Sequence, residues 1–326
     1  MSRPRLPVAR LVDGVLGGNR AVLAQAITLV ESQHPDDSEP AAAVLDAILP
    51  HAGRSRRVGI TGVPGVGKST FIDALGLYLV HERNEQVAVL SVDPSSPLSG
   101  GSILGDKTRM ERLALLDTQA FIRPSPTRGV LGGVASRTRE AILLCEAAGF
   151  GTVLVETVGV GQSETAVRSM TDFFLLLILP GAGDDLQGIK RGIIEMVDAI
   201  VVTKADGAMQ PLAERARADY AAALHLFPDS EDGWAPPVLT CSALEGRGID
   251  RVWDVIVEHR QQVEAAGQFA ARRRRQALAW LHELLRAGLE TTFRSDPATA
   301  ARLAELERAV EAGETTATSA ARELLE

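Results

Sequence analysis

Apolar and polar positions divide the chain into three stretches of different period. Up to about residue 52 the apolar residues recur at helical spacing. Val22, Leu23, Ile27 and Val30 share one face after Asn19, a residue suited to an N-cap. Val44, Leu45, Ile48 and Leu49 share another; Ser38 followed by Pro40 marks the expected start of that helix, and Pro50 its end. From Val58 to about Glu264 short apolar runs alternate with helical patterns. The runs predict strands over 58–61, 87–92, 120–123, 152–156, 172–179, 199–203 and 238–241. They are continuous in Val, Ile and Leu rather than alternating, which predicts strands covered on both faces. The expectation is an α/β fold with a doubly wound, mostly parallel sheet and its C-terminal strand ends along one edge. Beyond about Arg272 the helical period returns, with Leu278, Leu281, Leu285 and Leu289 and then Leu303, Leu306 and Val310. These late helices must bury their apolar faces on the domain or in a dimer arm. The run 272–275, four arginines, reads as a solvated helix face, with an anion site as the alternative. The expected division is 1–52, 53–266 and 267–326.

Composition narrows the class. The 326 residues carry a net charge of −8, which argues against broad nucleic-acid binding. The apolar run 173–179 is too short to span a bilayer, and Met1-Ser2-Arg3-Pro4-Arg5 lacks the apolar core of a signal peptide. We therefore expect no membrane association, and a cytoplasmic location or an organelle lumen. Cys145 and Cys241 lie far apart and read as small buried hydrophobes, not as a disulfide or metal site.

The chemistry is concentrated in Gly62-Val63-Pro64-Gly65-Val66-Gly67-Lys68-Ser69-Thr70. This is G-x-x-x-x-G-K-[ST] between a predicted strand and a predicted helix, the context that makes it a P-loop. Glycines let successive N–H groups turn toward one anion, and the helix N-terminus adds partial positive charge. Lys68 is placed to reach the β- and γ-phosphates, and the Ser69 hydroxyl to ligate Mg²⁺. A nucleoside triphosphate ligand follows.

A strand ending in Thr203-Lys204-Ala205-Asp206 resembles the N-K-x-D element that reads guanine. There a carboxylate accepts from the ring N–H and the 2-amino group, and the lysine stem packs along the ring. Adenine offers no such pair of donors. Thr203 stands where that element has Asn, which touches loop rigidity more than base choice. Ser242-Ala243-Leu244 resembles the S-A-[KL] element whose backbone N–H meets the guanine oxygen. The strand before Glu156-Thr157-Val158-Gly159 ends in E-x-x-G rather than D-x-x-G. Glu156 can polarise a magnesium-bound water there, and the Gly159 N–H can meet the γ-phosphate. Asp93 and Asp106 flank a Ser- and Gly-rich loop and, with Ser69 and Glu156, are the candidate Mg²⁺ ligands; either Asp alone could be a turn cap.

These residues carry a family resemblance. Segments 62–70, 92–110, 155–164 and 183–193, with Lys204 and Asp206, resemble the methylmalonyl-CoA mutase-associated GTPases of the MeaB/ArgK family, over nearly the whole chain. The resemblance implies a P-loop GTPase domain with N-terminal helices and a C-terminal helical dimerisation extension. It implies GTP and GDP as ligands, Mg²⁺ as the metal and a homodimer. It further implies a chaperone of a cobalamin-dependent acyl-CoA mutase, gating adenosylcobalamin loading and protecting or reactivating the mutase, with its adenosyltransferase as a further candidate partner. The segment 187–190 belongs to a third switch in that family, which makes Lys190 a candidate catalytic residue beside Lys68 and Glu156. The chain has no D-x-H-x-x-G signature, so adenosylcobalamin is expected on the partner.

Three other readings remain to be distinguished. A metallochaperone GTPase usually shows His-rich tracts or close Cys/His ligands, whereas the six histidines here are scattered. A free-standing P-loop kinase would need an acceptor site and no guanine selectivity. A GTPase acting on RNA sits poorly with the acidic balance.

Overall fold

The computed structural model describes residues 6–92, 110–124, 131–157, 163–181, 191–225 and 233–325. Candidate residues Asp93, Asp106, Gly159 and Lys190 lie outside these. The backbone forms two compact units, Met1–Arg273 and Arg274–Glu326.

Seven strands make the sheet of the first unit: β1 (Arg56–Gly62), β2 (Val87–Val92), β3 (Ala120–Arg123), β4 (Thr152–Thr157), β5 (Phe173–Ile178), β6 (Ala199–Val202) and β7 (Val238–Thr240). Their order is β3-β2-β4-β1-β5-β6-β7, and every pairing is parallel. The apolar runs end up where continuous burial requires, with β2, β4, β5 and β6 buried at every position. Alternate residues feed two cores. Val58, Ile60, Val89 and Leu154 face α4 (Lys68–Arg83) and the helix Ile249–Ala265, while Ala88, Val155 and Phe174 face the N-terminal helices and the helix Leu131–Ala147. The sheet is therefore doubly wound. The chain crosses from β4 to β5 over β1, which puts the loop after β1 at the reversal of strand order.

Among the described residues three α-helices precede β1: α1 (Val8–Leu16), α2 (Arg20–Val30) and α3 (Pro35–Ile48). Asn19 caps α2 as expected, its Oδ1 accepting from the Ala21 and Val22 N–H groups at 3.1 Å each. The start of α3 corrects the sequence reading. It opens at Pro35 with His34 as N-cap, and Pro40 lies inside the helix. Pro35 occupies the first turn, where a missing N–H costs nothing, and Asp36 and Asp37 follow where the helix dipole favours acid.

The arginine run also departs from expectation. Arg274 and Arg275 are exposed, but Arg272 and Arg273 keep only 16% and 14% of their side chains in contact with solvent. Arg273 donates to Asp172 from Nε at 2.9 Å and from Nη2 at 2.6 Å, and to the Gly53 and Ser55 carbonyls. Arg57 forks onto Glu146 at 2.8 and 2.7 Å. Burial alone would raise the carboxyl pKa values of Glu146 and Asp172. The guanidiniums of Arg57 and Arg273 outweigh it and hold both below the ordinary carboxylate range. Arg57 and Asp172 stand at the N-terminal ends of β1 and β5, so this network closes the edge opposite the P-loop.

In the second unit, helices Pro297–Glu311 and Ala317–Leu325 pack together through Leu306 and Ala320 and are joined by an Arg302–Glu323 ion pair. An apolar groove of about 490 Å³ between them is lined by Leu303, Leu306, Val310, Ala317, Ala320 and Leu324, among others. The preceding helix leaves Leu278, Leu281, Leu284, Leu285 and Leu289 exposed. Among the described residues no helix is long and apolar enough to cross a membrane.

Candidate functional site

The loop from Gly62 to Gly67 leaves β1 and enters α4, and its backbone is held open by glycine. At Gly62 (φ +153°) a Cβ would stand 2.4 Å from the Leu177 carbonyl oxygen of β5, so the close approach excludes a side chain. Gly67, at φ +95°, is the N-cap of α4 and makes no side-chain cap; the first turn carries no acid. With no capping side chain and no acid there, the first-turn N–H groups and the dipole of this terminus suit an anion. Pro64 and Gly65 are exposed, Val66 is buried, and Ser69 and Thr70 are half-buried. Lys68 is buried, its ammonium donating to the Gly62 carbonyl at 2.7 Å and the Val63 carbonyl at 3.3 Å. An ammonium held over the loop carbonyls is positioned where a phosphate chain lying in the loop would meet it.

Glu156, the penultimate residue of β4, stands beside the start of α4. It is 4% exposed and accepts from the Ser69 hydroxyl at 3.1 Å. Two hard oxygen donors from different elements, beside an anion cradle, suit Mg²⁺, which takes one or two protein ligands plus phosphate oxygens. On the next residue, the Thr157 hydroxyl donates to that of Thr61 at 2.9 Å, tying β4 to β1. One turn along α4, Asp73 accepts from the Leu113 N–H at 2.9 Å and the Arg112 Nε at 2.7 Å. It thereby fixes the chain where it returns from residues 93–109.

The end of β6 reaches back onto the same loop. The Thr203 hydroxyl lies 2.8 Å from the Val66 carbonyl and 3.1 Å from that of Ile178. It therefore makes the loop tie that the replacement of Asn had put in question. Lys204 adopts φ +54°, a left-handed conformation costing an L-residue about 1–2 kcal/mol. In that conformation its ammonium donates to the Gly65 carbonyl at 2.9 Å. Asp206 follows, half-buried, with Oδ2 accepting from the Ser242 hydroxyl at 2.7 Å. Ser242 is fully buried and pairs with Arg247, whose guanidinium also donates to the Ala205 carbonyl at 3.0 Å. Ala243 is half-buried and Leu244 is 80% exposed, an apolar side chain with open space over it. Cys241 is buried, and burial followed by the Asp206 charge pushes its thiol pKa up to about 12, so it is inert.

The structure thus joins three of the sequence elements: the P-loop, the Glu156 strand end, and Lys204/Asp206 with Ser242–Leu244. The Asp206–Ser242 and Arg247–Ala205 links span tens of residues and have no local pattern. Lys and Asp at a strand end was the signal for the first; nothing marked the second.

Similarity to known proteins agrees with this geometry. The family model for "Methylmalonyl Co-A mutase-associated GTPase MeaB" matches residues 23–298. The chain belongs to this family. It is 53% identical over 266 residues to the GTPase ArgK of Escherichia coli, covering 82% of this chain and 80% of that protein. To the mouse mitochondrial "Methylmalonic aciduria type A homolog" it is 46% identical over 316 residues, covering 94% and 76%. A crystal structure named for a LAO/AO transport system kinase superposes with a TM-score of 0.78 at 38% identity, covering 99% of this chain and 98% of that one. As a MeaB-family P-loop GTPase the chain binds GTP and GDP and hydrolyses GTP.

Proposed function

We propose that this GTPase uses its nucleotide cycle to gate the loading of adenosylcobalamin into a cobalamin-dependent acyl-CoA mutase in the cytoplasm, and to protect or reactivate that enzyme. The partner rests on the family match across 23–298, whose description names association with methylmalonyl-CoA mutase. The nucleotide site rests on one arrangement: Thr203 and Lys204 both bond the P-loop backbone, so Asp206 is fixed relative to the phosphate cradle.

In this reading the N–H groups of 65–70 hold the phosphates and Lys68 moves from the loop carbonyls to the β- and γ-phosphates. Asp206, oriented by Ser242, accepts the two guanine donors. The Lys204 stem covers one face of the base, and the Ala243 N–H meets its oxygen beside Leu244. Mg²⁺, held by Ser69 and Glu156 with Asp93 and Asp106 as further candidates, would neutralise charge developing on the phosphoryl oxygens. The Gly159 N–H is assigned to sensing the γ-phosphate, and Lys190, in the third switch, to the hydrolysis step that the mutase accelerates. Adenosylcobalamin stays on the mutase.

The C-terminal unit serves dimerisation in this account. Its exposed leucine stripe and its apolar groove are the surfaces that a second copy would cover.

The test is direct. Mutase affinity and adenosylcobalamin transfer are measured with GDP, with GTP and with a non-hydrolysable GTP analogue. Affinity or transfer should change with the nucleotide, and GTP turnover should rise on adding mutase. If mutase neither binds nor alters turnover, the chaperone role is wrong and a GTPase with another client remains.

A further inference from the structure

One buried hydroxyl beside the proposed metal position has no partner among the described residues. Ser91, on β2, is 4% exposed, and its Oγ makes no hydrogen bond among the described residues. Its position in the sheet is well defined: it lies in register with Glu156 on β4. Paired residues of parallel strands face the same side, about 4.8 Å apart. Along β2, Val87 and Val89 belong to the core under α4, so Ser91 continues that face. Glu156 stands on it too, two residues beyond Leu154, and bonds Ser69 of α4. A serine at this point of an otherwise apolar strand face leaves a polar atom stranded next to a carboxylate. Native folds rarely tolerate that without a ligand to satisfy it.

We propose that Ser91 is a positioning residue for the magnesium ion. Its hydroxyl hydrogen-bonds a water of the hydrated cation on the Glu156 side. This rests on the Ser69/Glu156 reading of the metal site and adds a residue to it. Ser91 does not ligate the ion; it orients what does, and outer contacts of this kind commonly change metal affinity by about 10-fold or more.

The readout is metal dependence of nucleotide retention, which needs no turnover. Dissociation of a fluorescent GDP is followed over a Mg²⁺ titration and in EDTA, for wild type, Ser91→Ala and Ser69→Ala. Ser91→Ala should raise the Mg²⁺ concentration for half-maximal retention by about 10-fold and leave the EDTA rate unchanged. Its metal-free melting temperature should be equal or higher, because a stranded hydroxyl has been removed. An unshifted Mg²⁺ titration overturns the inference, and so does an equal loss with and without metal. A lower metal-free melting temperature does the same, since it would mean that the hydroxyl is satisfied inside the fold. Ser69→Ala separates the two levels. If it shifts the titration and Ser91→Ala does not, only the role of Ser91 fails. If neither shifts it, the metal site itself is misplaced.

Discussion

Replacing Thr203 by Val tests whether the end of β6 holds the P-loop in shape. Thr203 is 3% exposed, and its one hydroxyl proton is shared between the carbonyls of Val66, at 2.8 Å, and Ile178, at 3.1 Å. Ile178 keeps a partner in the variant, because its oxygen also accepts from the Thr203 N–H at 2.9 Å. The Val66 carbonyl loses the contact outright. Valine preserves shape, so no cavity forms and the loss is polar. Its size lies between the net worth of a hydrogen bond and the cost of stranding a buried acceptor, about 1–3 kcal/mol. If the whole amount falls on ordering the loop, nucleotide affinity drops roughly 5- to 150-fold. The bond touches neither base nor γ-phosphate, so GTP and GDP must weaken together. Calorimetric titration of both nucleotides, with urea unfolding alongside, measures the division between binding and stability. Thr203→Ser, which keeps the hydroxyl, should recover most of the loss. The reasoning is refuted if Thr203→Val leaves affinity and stability both unchanged, or if GTP weakens while GDP does not.

Three further outcomes are expected. Lys68→Ala should abolish GTP hydrolysis and weaken triphosphate more than diphosphate binding, checked by single-turnover kinetics and titration. Arg273→Gln strands buried carboxylates and should cost about 3–5 kcal/mol at neutral pH by urea unfolding. The folded-state pKa values of Asp172 and Glu146 are depressed, so their stabilisation is present above about pH 4 and lost as pH falls through the folded values. The difference between Arg273→Gln and wild type should therefore shrink from about pH 7 to about pH 3. Gln187→Ala or Lys190→Ala should leave GTP binding nearly intact while reducing the acceleration of hydrolysis by mutase.

The strands were legible because each is a continuous β-branched and leucine run, a pattern that only a sheet covered on both sides accommodates. The P-loop was legible because its glycines act locally: the turn at Gly62 and the cap at Gly67 need no knowledge of the rest of the chain. Legibility failed where local signals compete and where distant residues decide. Two prolines precede the apolar face of α3, and Pro40, nearer that face, looked like the start; the acids after Pro35 are what favour the earlier one. Arg272 and Arg273 looked solvated because their partners, Asp172, Asp198 and Glu146, come from other elements brought together only by the sheet. Thr203 was read by what it replaces, although a hydroxyl at the end of β6 reaches the Val66 carbonyl and does the tying itself.

The central claim is that Asp206, held by Ser242 and registered to the P-loop through Thr203 and Lys204, selects guanine. Competition among GTP, ATP and xanthosine triphosphate for wild type and Asp206→Asn measures this most directly. Wild type should prefer GTP strongly. In Asp206→Asn the lost pair of hydrogen bonds should lower GTP affinity by about 2–4 kcal/mol, roughly 30- to 1,000-fold. Xanthosine triphosphate should gain relative to GTP, since its 2-oxo group accepts where guanine donates. Equal binding of ATP and GTP by wild type, or an unchanged base preference in Asp206→Asn, would contradict the account.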